Sequence, residues 1–445
     1  MLSKFFKFDE RKTNTKQEVL AGITTFLSMA YIIGVNPVML SKAGMPFSGV
    51  FFATIISAAI ASILMGVFAN YPVGSAPVMG LNALFTYTIV IYLGNTWECA
   101  VAAIFLSSII FLIINISGLR DKILHALPND LKYGITAAIG FYLAFIGFRF
   151  ANIIVLDSTT LTTMGDLFQP STFLALNGIF ITAILFVKKV PAGLFISIIV
   201  TAILGLIFTF LGFGVSDPLM PTLPTEFISF EFDLSLFGGF LRGFEQLFSN
   251  IKNLVIILFS LVFVLFFDTV GTVMSLSQLC GLTDENGEIT DFGKILVVDG
   301  IGGVIGAVFG TSTVSIFLES ATGIETGGKT GLTAITIGIC FLISIFFYPI
   351  IVSLFTTPVI ASALILVGIL MVNQLEKVNL THPVIGTSVF FTIIMMVLTN
   401  SISFGIAWGF SFFSVLEIIT GKINELNPGM IILCITFILY LFFGL

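Results

Sequence analysis

Charged residues are so sparse along this chain that the uncharged runs between them are its main pattern. A helix needs roughly 20 mostly apolar residues to cross the hydrocarbon core of a bilayer. Residues 19–41, 99–119, 133–148, 167–187 and 190–216 each form one such run. Residues 43–97 contain no Asp, Glu, Lys or Arg and are long enough for two spans, divided at Asn70-Tyr71-Pro72-Val73-Gly74. The run 253–283 is interrupted only by Asp268, and 301–318 ends at Glu319. Residues 330–375 hold two spans, with Pro349 and Pro358 marking the join. The runs 378–416 and 426–445 complete the set, with 384–420 forming one span or two. The pattern predicts an all-α polytopic membrane protein of about 14 segments.

Composition narrows the class further. Charged residues are 9% of the 445, hydrophobic residues 57%, and mean hydropathy is +1.13. Ordinary soluble proteins carry about 25% charged residues. A soluble enzyme, a secreted disulfide scaffold, a disordered chain and a nucleic-acid binder are all excluded. Cys99, Cys280, Cys340 and Cys434 lie far apart in apolar stretches and read as small buried hydrophobes. Residues 1–18 are polar, and the run that follows is too long for a signal-peptide core, so the chain is expected to stay in the membrane as made.

Lys and Arg in short loops set the orientation. With the N-terminus in the cytoplasm, Lys4, Lys7, Arg11, Lys12, Lys16, Arg120, Lys122, Lys132, Lys188, Lys189, Lys294, Lys329 and Lys377 fall inside. Lys42, Arg149, Arg242 and Lys252 fall outside, and Lys422 is ambiguous. A plasma-membrane protein with a cytoplasmic N-terminus is therefore expected. The long loop 214–252 would be external, and 236–248 reads as an amphipathic surface helix.

The chain repeats itself, its second half echoing its first. Residues 70–88 and 309–326 each run from Pro/Gly-rich to small and polar to apolar. Each is followed by a clean apolar span and then by a Pro-led helix. Two seven-segment halves must face opposite ways, which is the inverted-repeat plan of secondary transporters. Irregular backbone at membrane depth is tolerated only when buried in protein or lining a cavity. Broken half-helices in segments 3 and 10 therefore point to a substrate site at the midplane.

Ionisable groups inside spans sharpen this. A carboxylate at a helix centre costs on the order of 3 kcal/mol to insert. Asp268 and Glu319 are such groups, and each is a candidate for binding a polar ligand or carrying a proton. Thr272 shares a helical face with Asp268. Asn82 reads as the first-half counterpart of Glu319, so the three are expected to converge on one pocket. Asp299, nearer a span end, suits a structural role, and His125 and His382 suit loop or cap roles. Phe85, Phe266 and Phe317 are available for stacking. Gly323-Ile324-Glu325-Thr326-Gly327-Gly328-Lys329-Thr330 fits the P-loop pattern letter for letter, but no soluble βαβ unit surrounds it, so it reads as a Gly-rich connection.

The chain resembles the nucleobase:cation symporter-2 family, in its adenine/guanine/hypoxanthine branch. The likeness runs through Ala21-Gly22-Ile23-Thr24-Thr25-Phe26, Val35-Asn36-Pro37, Gly80-Leu81-Asn82-Ala83 and Phe267-Asp268-Thr269-Val270-Gly271-Thr272. It is densest at Gly310-Thr311-Ser312-Thr313, Glu319-Ser320, Gly327-Gly328-Lys329-Thr330 and Ala363-Leu364-Ile365-Leu366-Val367-Gly368. The resemblance implies 14 segments in two inverted repeats. An N-terminal segment 1–17 would precede core residues 18–127 and 253–355; gate residues 128–213 and 356–445 and the external loop 214–252 would make up the rest.

The resemblance also implies a ligand site on Asp268, Glu319, Asn82, Ser320 and Thr272, with Asp268 or Glu319 carrying the coupling proton. Where other branches often have Asn or Gln, this chain has Ser320, and Thr272 replaces a His or Asp of some relatives. The implied activity is proton-coupled uptake of a purine base by alternating access, with no cofactor, H⁺ as the coupling ion and Na⁺ the alternative to it, and a homodimer through the gate domain. A uracil/xanthine permease and a sulfate-permease-like anion transporter are the alternatives. Paired acids count against the latter, since carboxylates repel anions. No nucleophile–base or metal cluster suggests an enzyme.

Overall fold

The computed structural model describes residues 2–118, 128–280 and 292–421, and of the C-terminal stretch 430–431, 434–435, 437–438 and 441. His125, Arg120, Lys122, Lys422 and most of the run 426–445 lie outside the described residues. Among those described, eleven helices are long and apolar enough to cross a membrane. Shorter apolar elements supply the rest, and the architecture is the inverted-repeat core-and-gate fold.

Segment 1 covers Thr15–Ser41 and breaks at Ala30–Tyr31, between helices Thr15–Met29 and Ile32–Ser41. Asn14 caps its start, its side chain accepting from Gln17 N at 3.0 Å. Segment 2 is Phe47–Ala69 and segment 4 is Trp97–Ile116, capped by Thr96. Segments 5, 6 and 7 are Asn129–Phe150, Pro170–Val187 and Gly193–Phe210. Segment 8 is Ile251–Cys280, segment 9 Phe292–Phe309, segment 11 Gly331–Leu354 and segment 12 Thr357–Lys377.

Two details of the join and the tail differ from the sequence reading. Pro349 opens the short helix Tyr348–Leu354 after a 3₁₀ turn at Ile345–Phe347, so it kinks segment 11 rather than ending it. Pro358 alone marks the join, in the first turn of segment 12, where its missing N–H costs nothing. Residues 384–420 form two helices, Pro383–Leu398 and Ile402–Ile419, which are segments 13 and 14. Asn400, at φ +52, turns the chain between them.

The two repeats meet at crossing strands. β1, Ser75–Pro77, pairs antiparallel with β4, Val314–Ile316, and both are fully buried. Val78 N donates to Thr313 O and Phe317 N to Gly74 O, each at 3.0 Å, extending the pair symmetrically. Non-helical backbone at this depth has no water to bond, so each strand satisfies the other. A half-helix follows each strand: Met79–Tyr92 in segment 3, and Leu318–Ser320 with Ala321–Glu325 in segment 10. A second hairpin, β2 (Ile154–Asp157) and β3 (Leu161–Met164), caps the far end of segment 5 and went unread in the sequence.

Packing divides the helices into two groups. Segments 1, 2, 4, 8, 9 and 11 contact one another around the crossing strands, while segment 12 packs on segments 5, 6 and 7, and 13 packs on 5 and 14. Segments 5 and 12 cross where a Cβ on Gly140 would lie 2.6 Å from Gly368 O, and one on Gly368 2.5 Å from Gly140 O. Only glycine permits that approach, a close crossing common in membrane bundles. The loop before segment 8 carries the amphipathic helix Phe240–Ser249, which lies on segment 4 with Arg242 over the Trp97 ring at 5.6 Å.

Candidate functional site

The half-helices and the segment 1 break surround a cavity of about 90 Å³ between the two helix groups. A single water needs roughly 10–15 Å³ measured in this way, so the space admits a small planar molecule or a water cluster. One wall comes from the core: Tyr31 at the break of segment 1, Val78, Met79 and Gly80 opening segment 3, Asp268, Gly271, Thr272 and Ser275 on segment 8, and residues 316–319 of segment 10. The facing wall is Tyr133 and Thr136 of segment 5 with Val367, Leu370, Met371 and Gln374 of segment 12.

Asp268 and Glu319 both line this cavity. The two acids are held differently. Tyr31 donates its hydroxyl to Glu319 Oε1 at 2.7 Å, which orients that carboxylate from the break in segment 1. The Tyr31 ring also lies 6.3 Å from that of Phe317 across the cavity rim. Asp268 accepts no hydrogen bond among the described residues, so its carboxylate is open to whatever enters. Thr272, one turn on from Asp268, lines the same wall.

Asn82 and Ser320 are placed elsewhere. The strand pair is symmetric about Ala76 and Ser315, which stand opposite each other, and this relates the two halves position by position. On that correspondence the counterpart of Glu319 is Gly80, and Asn82 matches Ala321, so the sequence reading was out of step. Asn82 is fully buried behind the cavity wall, and its Oδ1 accepts from the Ser312 hydroxyl. Ser320 is also fully buried, and its Oγ accepts from Gly74 N at 3.0 Å, binding the two half-segments together. Each ties one repeat to the other, and neither is part of the cavity lining. Of the candidate aromatics only Phe317 reaches the lining; Phe85 and Phe266 are buried, the latter against Phe111 at 6.2 Å.

Comparison with known proteins follows the same lines. A profile described as Permease family, the xanthine/uracil type, matches residues 16–408. The chain belongs to the nucleobase:cation symporter-2 family. It is similar to the guanine/hypoxanthine permease PbuO of Bacillus subtilis, 38% identical over 98% of this chain and 99% of that one. It is likewise similar to the adenine permease AdeP of Escherichia coli, 38% identical over 100% of this chain and 96% of that one. Among solved structures it resembles the transmembrane domain of the cyanobacterial bicarbonate transporter BicA, with a TM-score of 0.63 at 18% identity over 87% of this chain and 96% of that one. The murine anion transporter Slc26a9 gives 0.62 at 11% identity, over 91% and 68%. Identities that low establish the shared fold and nothing about the ligand.

The family motifs now acquire physical roles. Asn36 donates to Thr54 Oγ1 at 2.6 Å and Thr311 Oγ1 at 2.8 Å, tying segments 1 and 2 to the approach to β4. Asp299, 2% exposed, accepts from Thr269 Oγ1 at 2.8 Å, Ser315 Oγ at 2.9 Å and Ile316 N at 2.9 Å. It is a bracket between segments 8 and 9 and β4, the structural role the sequence suggested.

The P-loop-like motif is spoken for by the chain itself. Lys329 N and Thr330 N, which would cradle a phosphate in a P-loop, donate to the two oxygens of Glu18 at 3.1 Å each. Thr333 Oγ1 adds 2.6 Å and Thr13 Oγ1 2.7 Å, and Glu18 is fully buried. Arg11 Nη1 reaches Asn70 O at 2.7 Å and Lys329 O at 2.6 Å beside it. Glu18 was missed in the sequence because it sits at the edge of a polar N-terminal run that looks solvated. A carboxylate aligned with a helix start in the other half of the chain leaves no local signal.

Tyr31 was missed as a site residue for the same reason. Tyr31→Phe removes the hydroxyl that donates to Glu319 and leaves the ring in place. Uptake should fall roughly tenfold, the effect of about 1.5 kcal/mol, the low end for one hydrogen bond to a charged group. The pH profile of uptake should shift along with it, whereas a variant that only loosens packing would lower the rate at every pH alike. Initial uptake rates across pH, normalised to inserted protein, provide the check.

Proposed function

We propose that this protein is a secondary transporter that takes up purine nucleobases with protons by alternating access. The observation that carries the reading is that two membrane-embedded acids, Asp268 and Glu319, face one cavity between core and gate in a chain 38% identical, nearly end to end, to permeases named for guanine, hypoxanthine and adenine. A purine presents N–H donors on its edge, and carboxylates accept from them. Glu319, steered by Tyr31, accepts from one N–H. Asp268, with no partner of its own among the described residues, takes the proton or accepts from a second N–H. Proton loading removes one of the two negative charges, the bound N–H groups solvate the other, and a less charged, satisfied site lowers the desolvation cost of moving the core against the gate. Thr272 and the N–H groups opening the segment 3 half-helix, which have no intrahelical acceptors, supply further contacts.

The protein is read as residing in the plasma membrane with its N-terminus in the cytoplasm, and as pairing with a second copy through the gate. Anion transport of the kind named for BicA finds less support, because two carboxylates on the cavity wall repel an anion. Uptake of labelled hypoxanthine, guanine, adenine, uracil and sulfate, each with and without a protonophore, tests the reading. Purines should accumulate and the protonophore should collapse the gradient. Uracil or sulfate uptake exceeding that of every purine overturns the substrate assignment. Purine accumulation that survives the protonophore and tracks sodium overturns the coupling ion.

A further inference from the structure

The gate wall of the cavity carries three polar side chains, and they are committed to different degrees. Thr136 spends its hydroxyl hydrogen on Lys132 O at 3.1 Å. Tyr133 has its ring covered by Lys377 Nζ, 5.1 Å from the centroid, while its hydroxyl, which makes no hydrogen bond among the described residues, is a single rotor rather than an amide with separate donors and acceptor. Gln374 faces the cavity at the end of segment 12, and its side-chain amide makes no hydrogen bond among the described residues. The remaining gate lining, Val367, Leu370 and Met371, is apolar.

The two acids alone cannot do everything a purine site requires. Asp268 and Glu319, when ionised, only accept, so they read ring N–H groups, of which the imidazole N–H is common to every purine base. Adenine and hypoxanthine differ in the exocyclic group at the six position, an amino donor in one and a carbonyl acceptor in the other. Telling that group from a bare C–H calls for a polar contact on the side of the ring away from the acids. A primary amide offers both donors and an acceptor and changes role by turning over. Gln374 is the uncommitted group of that kind on the gate wall.

We propose that Gln374 is the specificity-determining residue of the gate, bonding the exocyclic group at the six position of the purine once the acids hold its N–H edge. This rests on the purine reading above. A site that hydrogen-bonds a substituent rejects the analogue lacking it far more strongly than an apolar pocket does. It follows that the wild type should favour hypoxanthine over unsubstituted purine, which has nothing at that position. Gln374→Leu should erase the preference, and Gln374→Glu, whose side chain is an acceptor when ionised, should favour adenine's amino group.

The test uses the full-length protein in cells or proteoliposomes, with rates normalised to inserted protein. Unlabelled hypoxanthine and unsubstituted purine compete against labelled hypoxanthine in the wild type and in Gln374→Leu. Gln374→Glu is assayed for adenine and hypoxanthine uptake. The expected result is a wild-type preference for hypoxanthine of roughly tenfold or more that falls to within about twofold in Gln374→Leu, with an adenine-to-hypoxanthine ratio at least roughly tenfold higher in Gln374→Glu. Preserved discrimination in Gln374→Leu, an unchanged ratio in Gln374→Glu, or loss of all purine handling by an inserted Gln374→Leu would overturn the proposal, since a specificity contact is dispensable for unsubstituted purine. Should one variant fail to insert, the other decides. Failure of the wild type to transport any purine would instead overturn the functional reading itself.

Discussion

Glu319→Gln and Asp268→Asn should each reduce purine uptake about 100-fold or more while the protein stays folded in the membrane. The amides keep the shape of the acids but replace one acceptor oxygen with a donor. On the proposed reading each loses a charge-assisted hydrogen bond to the ligand, worth about 1.5–3 kcal/mol, and the new N–H₂ would face a substrate N–H. About 3 kcal/mol is roughly a hundredfold in binding. The two variants should differ in detail. Glu319→Gln also loses the carboxylate that Tyr31 orients at 2.7 Å, so substrate affinity suffers most. Asp268→Asn removes the acid that has no partner among the described residues, so its residual uptake should no longer respond to pH. Initial rates and KM across pH measure both effects. Wild-type-like uptake by either variant removes that residue from the mechanism.

Asp299→Ala should cost the fold rather than the chemistry. Its carboxylate takes hydrogen bonds from Thr269, Ser315 and the Ile316 amide, all at the point where the repeats cross. Alanine strands three buried donors where water does not reach, at about 1–3 kcal/mol for each that finds no other partner. A loss on the order of 3–5 kcal/mol is expected, the usual effect of breaking a buried charged network. Asp299→Asn keeps one acceptor oxygen and should fall between the two. Thermal unfolding of the purified protein in detergent reads the difference. An Asp299→Ala midpoint within a degree or two of wild type would show that the crossing strands hold without their bracket.

Glu18 and Asn82 together show where reading the chain reaches its limit. A polar residue beside a charged N-terminal run looks solvated, yet Glu18 is buried and accepts from two amides and two hydroxyls, three of these donors lying beyond residue 328. Asn82 looks like a ligand-facing amide beside a half-helix break, yet Ser312 occupies it from the opposite repeat. In each case the deciding partner comes from the other half of the chain, and nothing in the local pattern names it. Asp268 and Glu319 were legible because their cost is local: an acid in an apolar run declares itself by the company it keeps.

The sequence by itself determined that the chain spans a membrane many times, that it is built from two related halves, that both halves break at corresponding places, and that two acids sit deep within it. All of these follow from transfer free energy, which depends on residue type and run length and is therefore written along the chain. Only the tertiary structure decided the exact correspondence of the repeats, in which Ala76 meets Ser315 and Gly80, not Asn82, stands in the place of Glu319. It also decided that Tyr31 holds one acid while the other is left open, and that Glu18 fills the P-loop-like turn. Those are questions of which distant donor meets which acceptor. A hydrogen bond is settled within a few tenths of an ångström, by packing that brings far-separated segments together, and periodicity carries no record of it.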